Sequence, residues 1–350
     1  MAENKKKTDT KPTSTKPSNR KPGTSTRRPA GNKRRKRNKG SSKLLILLIV
    51  TLVIYVGLSA LDFFVPGIDV DMGGVNIFDL LGLNRASLAD PLPVPQGGEV
   101  IYHFIDVGQG DAVLITSPDG NILVDTSVKS AKDELDDYLK AAGVSELEYL
   151  VLTHPDADHI GNAQFVIENY KVENVIMTDY ASTSKTYENL LDAIEEKNIN
   201  VILPENGYSF KLGALTNTVI APVNEYDDPN EMSLVIKSVY GNTSVMLTGD
   251  AEVESEEDIL KKWSASALQS DILKVGHHGS STSTTDAFLN AVNPKAAIIS
   301  CGEGNTYGHP HEETVKKLEN KGIKIYRTDK DGSIIYKSNG NDIILLETRK

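Results

Sequence analysis

The run LEYLVLTHPDADHIGN, Leu147 to Asn162, constrains the fold more than any other part of the sequence. An aliphatic strand ends on Leu152, and the turn after it packs two histidines and two aspartates into the six positions from His154 to His159. The chain has only seven histidines, at 103, 154, 159, 277, 278, 309 and 311. Most stand at the ends of predicted strands beside Gly, Asp or Pro. Core histidines sit within apolar runs. A set at strand ends points to loops meeting on one rim, where ligands bind.

The rest of this region reads as two β-rich halves. EVIYHFIDVG, AVLITSP and GNILVDTS form a three-stranded meander with glycine-containing turns. KSAKDELDDYLKAAG places Leu135, Tyr138 and Leu139 at helical spacing and stops on Gly143. A strand (LEYLVLTH), a helix (AQFVIENY), a strand (ENVIMT) and a helix (KTYENLLDAIEEKN) follow. After residue 199 come NVILP, YSFKLG, TNTVIAP, MSLVIKSVY and TSVMLTGD, then DILKVGHH, AAIISCG, IKIYRT, SIIYKS and DIILLET, with helices near 284–291 and 312–321. Two such halves predict an α+β fold in which two sheets pack face to face with helices outside.

Charge divides the chain. Of 38 Lys+Arg, 16 lie in residues 1–43 against two of the 48 acids, so residues 44–350 carry 22 against 46, a net of −24. Residues 1–43 lack the apolar side chains that offset chain entropy and are expected to be a disordered basic tail. LLILLIVTLVIYVGLSAL, Leu44 to Leu61, is uncharged, and with the following residues to 65 its length suits a bilayer core of about 30 Å. Positive charge on its N-terminal side predicts a single-pass membrane anchor with a cytoplasmic N-terminus and an extracellular domain. A cleaved signal peptide fits less well, because the apolar run is long and the cleavage pattern weak. Residues 66–98, rich in Gly, Pro and Asp, read as a linker to a hydrolase domain over 99–350.

His154, Asp156, Asp158 and His159 alternate along the turn, so one pair can face one point and the second pair another. Two cations about 3.5–4 Å apart need such an arrangement. Asp250 ends VMLTGD, and His277 and His278 end ILKVGHH, adding a carboxylate able to bridge and an imidazole to complete the second site. A mixed oxygen and nitrogen set suits Zn²⁺ or Mn²⁺.

These residues, with FIDVGQGDAVLI, ILVDTS, NEMSLVI, LKVGHHGS and SCGEGNTYGHPH, resemble the metallo-β-lactamase fold superfamily, and within it the nuclease-like domain of ComEC-type competence proteins. The resemblance runs from about residue 100 to 347 and implies a four-layer αββα sandwich. It implies that His154 and Asp156 hold one metal, Asp158 and His159 the other, that Asp250 bridges, and that one of His277 and His278 ligates while the other faces substrate. Asp158, His278 and His309 are the expected catalytic residues. Two departures stand out. No histidine lies between 160 and 276, where the superfamily usually has one and this chain offers Asn230; and Ser127 stands where VDTG is common.

Other residues carry quieter expectations. Asp111 is read as hydrogen-bonding backbone amides in its turn, with a supporting role near the metals also compatible. Asp125 orients a ligand or caps its loop. Ser233, Asn305 and Tyr307 are placed near substrate or behind the ligands, and His103 is a satisfied sheet histidine. Cys301, the lone cysteine, looks like a strand end more than a nucleophile.

Two cations sharing a water lower its pKa from about 15.7 towards neutrality and supply hydroxide. The expected activity is therefore metal-dependent phosphodiester hydrolysis, with DNA as substrate and a link to competence-type uptake machinery implied by the resemblance. The acidic body opposes binding to a polyanion, so a smaller phosphoester or a cell-wall phosphodiester is an alternative, as are β-lactam hydrolysis and a non-catalytic tethered module. One hydrophobic span cannot form a DNA channel alone.

Overall fold

Near-continuous apolar runs along short strands, such as VLITS and AAII, bury side chains on both faces of each sheet, which forces a layered architecture. The computed structural model describes residues 91–350. The basic tail (1–43), the apolar span (44–65) and the linker as far as residue 90 lie outside the described residues. Among the described residues, no helix is long and apolar enough to cross a membrane.

The first half supplies β1 (Val100–Phe104), β2 (Val113–Ser117), β3 (Gly120–Val124), β4 (Glu146–Leu152), β5 (Lys171–Met177) and β6 (Asn200–Ile202). The second supplies β7 (Ser209–Leu212), β8 (Leu215–Ala221), β9 (Val235–Tyr240), β10 (Thr243–Leu247), β11 (Ile272–Lys274), β12 (Ala296–Ile299) and β13 (Lys324–Arg327), followed by β14 (Ser333–Ser338) and β15 (Ile343–Arg349). They form an eight-stranded sheet, β15-β14-β1-β2-β3-β4-β5-β6, and a seven-stranded sheet, β13-β12-β11-β10-β9-β8-β7. Each half begins as an antiparallel meander and turns parallel where helices intervene, at β3–β6 and β10–β13.

Three apolar interfaces stack these layers. Tyr102, Phe104, Val113 and Val151 of the first sheet meet Ile236, Val245, Leu247 and Ile298 of the second. On the outer face of the first sheet, Leu114, Leu123 and Leu150 pack against Leu135 and Leu139 of the helix Lys132–Ala141. On the outer face of the second, Met246, Leu273 and Ile299 pack against Ile259, Phe288 and Leu318. Burying each such side chain contributes about 1.5–3 kcal/mol. The result is the expected αββα order. Leu92 also packs, against Ile101 and Ile335, so contact with the domain begins within the stretch read as linker.

The helix Val253–Lys262 was not foreseen. Its apolar stripe is thin, and its buried face holds Ser255 and Glu256 beside Ile259. Glu256 satisfies the backbone N–H groups of Thr284 and Thr285. A helix held partly by such polar contacts leaves little hydrophobic period to read.

The parallel strands β3, β4, β10, β11 and β12 end at Val124, Leu152, Leu247, Lys274 and Ile299. The segments that follow carry Asp125, His154 to His159, Asp250, His277 and His278, and His309. Carboxyl ends of parallel strands are where such sheets bind ligands.

Candidate metal centre

Four of the buried side chains at this rim converge with no close hydrogen bond among their inward atoms. Nε2 of His154, His159 and His278 and Oδ1 of Asp250 are all buried and lack a hydrogen-bond partner. Leaving such groups unpaired costs about 1–3 kcal/mol each, and a bound cation would satisfy them. The donor set fits divalent cations. His154, His159 and Asp250 offer atoms within 4.8 Å of one another, as do Asp158, His159 and His278, and Asp111, Asp250 and His278. The two oxygens of Asp250 point different ways: Oδ1 lies 3.3 Å from His159 Nε2 and Oδ2 lies 3.3 Å from His278 Nε2. One carboxylate therefore faces both halves of the cluster. Asp158 Oδ2 lies 3.3 Å from His278 Nε2. Asp156, with its side chain 48 % exposed, approaches at 3.9 Å from His154 Nε2.

The far nitrogen of each imidazole is held by the protein, which turns Nε2 inward. His159 Nδ1 donates to Asp125 Oδ2 at 2.8 Å. Asp125 in turn accepts from Thr153 N at 2.8 Å and Thr153 Oγ1 at 2.7 Å. His278 Nδ1 donates to Ser300 O at 3.0 Å. His154 Nδ1 lies 3.3 Å from Ser233 Oγ, which accepts from Asp250 N at 3.1 Å. Ser233 thus couples the two motifs, while Asn230 of the same segment has a buried Oδ1 with no hydrogen-bond partner.

The adjacent histidines diverge. Both adopt left-handed backbone, with φ of 46° at His277 and 53° at His278. His278 is buried in the cluster, whereas His277 Nδ1 bonds Glu252 Oε1 at 2.6 Å and its Nε2 stays 3.8 Å from Asp250 Oδ2. The geometry directs His278, not His277, into the cluster.

Asp111 departs from expectation. Its carboxylate does not cap its own turn but forms a buried ion pair with Lys274, with Oδ1 3.5 Å from His278 Nδ1. Lys274 also donates to Gly249 O at 3.2 Å. Sequence reasoning missed Lys274: a lysine closing a short strand is ordinarily solvated, and only the tertiary partner marks it. The turn itself explains its glycines. A Cβ at Gly110 would stand 2.4 Å from the Asp158 carbonyl oxygen, so the DVGQGD loop lies directly against the metal-loop backbone. Ser127 has φ of 58°, a conformation glycine adopts more easily, and its Oγ lies 3.3 Å from Gln109 O and 3.4 Å from Val107 O.

Electrostatics in the cluster follow from crowding. Burial disfavours charge on His159 and His278, yet Asp250 and the neighbouring carboxylates outweigh it and raise both well above the usual imidazole value. Burial disfavours the charged form of Asp250 as well, but those two imidazoles hold it well below the usual carboxylate range. His154, governed by burial and by repulsion from His159, falls to about 3. A cation bound here would compete with protons for His159 and His278.

His309, 9 % exposed, stands beside this group with ring centroids 5.3 Å from His277 and 6.2 Å from His278. Asn305 braces its backbone through Oδ1 and Nδ2, and Tyr307 stacks on its ring at 5.7 Å. His103 lies apart, its ring nitrogens 3.1 Å from Tyr138 Oη and 3.4 Å from Thr116 Oγ1. Cys301 is fully buried, and burial pushes its thiol up to about 11, the behaviour of a packed strand end.

Two face-to-face sheets, flanking helices and an imidazole–carboxylate cluster at the strand ends define the metallo-β-lactamase class of metal-dependent hydrolases. Residues 105–303 match the model of the Metallo-beta-lactamase superfamily, and the chain belongs to that superfamily. It is 33 % identical to ComE operon protein 3 of Bacillus subtilis (strain 168) over 261 residues, covering 69 % of this chain and 33 % of that protein. It is 34 % identical to Competence protein ComA of Neisseria gonorrhoeae over 246 residues, covering 70 % of this chain and 33 % of that protein. These two homologues are ComEC-type competence proteins, and the chain spans about a third of their length. Among solved structures, the metallo-beta-lactamase fold protein YhfI from Bacillus subtilis matches with a TM-score of 0.48 at 12 % identity, covering 68 % of this chain and all of that one.

Proposed function

We propose that this protein is a metal-dependent phosphodiesterase acting on DNA outside the cell membrane, in the manner suggested by its likeness to competence proteins. The observation that carries the reading is the set of unpartnered inward atoms, His154 Nε2, His159 Nε2, His278 Nε2 and Asp250 Oδ1. Asp111, Asp125, Asp156, Asp158 and Asp250 bring five negative charges against the one ammonium of Lys274, a balance of −4 that two divalent ions, Zn²⁺ or Mn²⁺, neutralise. In this assignment His154 and Asp156 would hold one ion and Asp158, His159 and His278 the other, with the Asp250 carboxylate available to both. When bound, such ions polarise phosphoryl oxygens and lower the pKa of water. The chain's own residues do the rest. Asp125 and Ser233 fix the imidazole orientations, Lys274 balances Asp111, and His309 Nδ1, buried and unpartnered, exchanges a proton at the edge of the centre.

The apolar span at 44–65 anchors the chain in a membrane in this reading, with the basic tail in the cytoplasm and the domain outside, beside DNA-uptake machinery. The strongly acidic body supports a second reading, a smaller phosphodiester that needs no long cationic track. The test uses the full-length protein with Mn²⁺ or Zn²⁺ and offers single- and double-stranded DNA, bis-p-nitrophenyl phosphate and nitrocefin. DNA turnover that is abolished in Asp250→Ala supports the proposal. Diester turnover without DNA turnover selects the smaller substrate. Nitrocefin turnover alone, or none with either metal, overturns both.

A further inference from the structure

We propose that Tyr307 is a stacking platform for an unpaired nucleobase beside the metal centre, so that the site takes single-stranded polynucleotide in preference to duplex. The inference rests on reading the centre as a phosphodiesterase.

Three rings step outward from the cluster. His278, 1 % exposed, stacks with His309 at 6.2 Å and 30°, and His309 stacks with Tyr307 at 5.7 Å and 21°. Tyr307 is 64 % exposed, the one aromatic among the large apolar side chains that the described residues leave open to solvent. One face of its ring covers His309, and that exposure leaves the remainder of the ring free.

The loop bearing this ring is pinned. Asn305 Nδ2 donates to Gly302 O at 3.0 Å and to His309 O at 2.6 Å, and Asn305 Oδ1 accepts from His309 N at 3.0 Å. Gly302 N donates to Gln109 Oε1 at 3.2 Å, tying the loop to the DVGQGD turn. An exposed aromatic carried on a pinned loop and seated on His309 is partly preorganised for a flat partner, which lowers the conformational entropy lost when one arrives.

Charge narrows the choice of partner. Residues 44–350 carry a net −24, so phosphate-tracking affinity is weak. Stacking on an aromatic ring is available to every base and does not depend on cationic contacts. A paired base has both faces covered by its neighbours, and offering one to Tyr307 requires unstacking; a single strand offers it freely.

The experiment compares full-length wild type and Tyr307→Ala, with Mn²⁺, on three substrates of equal length: a single strand with bases, the same strand built from abasic deoxyribose phosphates, and the duplex. Bis-p-nitrophenyl phosphate is run alongside. For wild type, KM on the base-bearing strand is about 5- to 100-fold below that on the abasic strand. Tyr307→Ala brings the two within about twofold of each other, and Tyr307→Trp restores the gap. Equal KM on the two strands in wild type, or a gap that survives Tyr307→Ala, overturns the stacking platform while leaving phosphodiester hydrolysis standing. Failure of wild type on every substrate, the small diester included, overturns the phosphodiesterase reading and the platform with it.

Discussion

Lys274 and Asp111 form an ion pair inside the domain, their side chains 1 % and 3 % exposed. The pair joins the turn after β1 to the end of β11, and Lys274 Nζ also holds the carbonyl of Gly249, the residue before Asp250. Breaking a buried pair by removing one partner costs about 3–5 kcal/mol, because the other charge is left uncompensated. Lys274→Met is therefore expected to destabilise by that amount in denaturant unfolding. Lys274→Met with Asp111→Asn should recover part of the loss. A double variant no more stable than the single one would show that the charge pairing is not the cause.

Asp125 orients His159 and has φ of 60°, a conformation Asn tolerates. Asp125→Asn thus keeps the backbone and disturbs the support of Nδ1. Loss of such a supporting partner typically lowers metal affinity by about 10–100-fold. Mn²⁺ titration followed by electron paramagnetic resonance should show a weakening of this size.

The two glycines of DVGQGD predict different penalties. Both have positive φ, 69° at Gly108 and 118° at Gly110. A Cβ at Gly108 meets nothing within 4 Å, whereas one at Gly110 meets Asp158 O at 2.4 Å. Gly108→Ala should cost about 1–2 kcal/mol of backbone strain. Gly110→Ala should cost more and also weaken metal binding, since the Asp158 backbone must move. Equal effects on both readouts would refute the proposed contact.

His103 gives a pH signature remote from the metal cluster. Burial, aided by the charge of Arg349, lowers its pKa to about 3. In the unfolded chain it takes up a proton near pH 6.5. Its contribution is therefore present above about 6.5 and is lost as pH falls from 6.5 towards 3, where the unfolded state binds the extra proton. Unfolding free energy measured across that window should fall by up to one proton's slope more steeply in wild type than in His103→Gln.

Much of this architecture is written locally. LEYLVLTHPDADHIGN announces a strand that delivers ligands, and VMLTGD and ILKVGHHGS do the same, because a short apolar run stops where the polar cluster starts. What local pattern cannot carry is pairing at long range. β14 joins the first sheet beside β1, with Val100 opposite Ser338. Lys274 looks like a surface lysine until Asp111 is brought to it. The choice between His277 and His278 depends on a left-handed backbone and on Glu252, from a separate segment. The place of Asp111 beside His278 fits a supporting role near the cluster, but its pairing with Lys274 instead of its own turn is invisible locally, since that partner is far along the chain.

The most direct measurement is the metal content of the full-length protein after reconstitution with Mn²⁺ or Zn²⁺ and removal of free ion. Elemental analysis should give two divalent ions per wild-type chain and a clear deficit in Asp250→Ala, whose carboxylate faces both halves of the cluster. Wild type with no stoichiometric ion, under conditions in which it remains folded, would contradict the account.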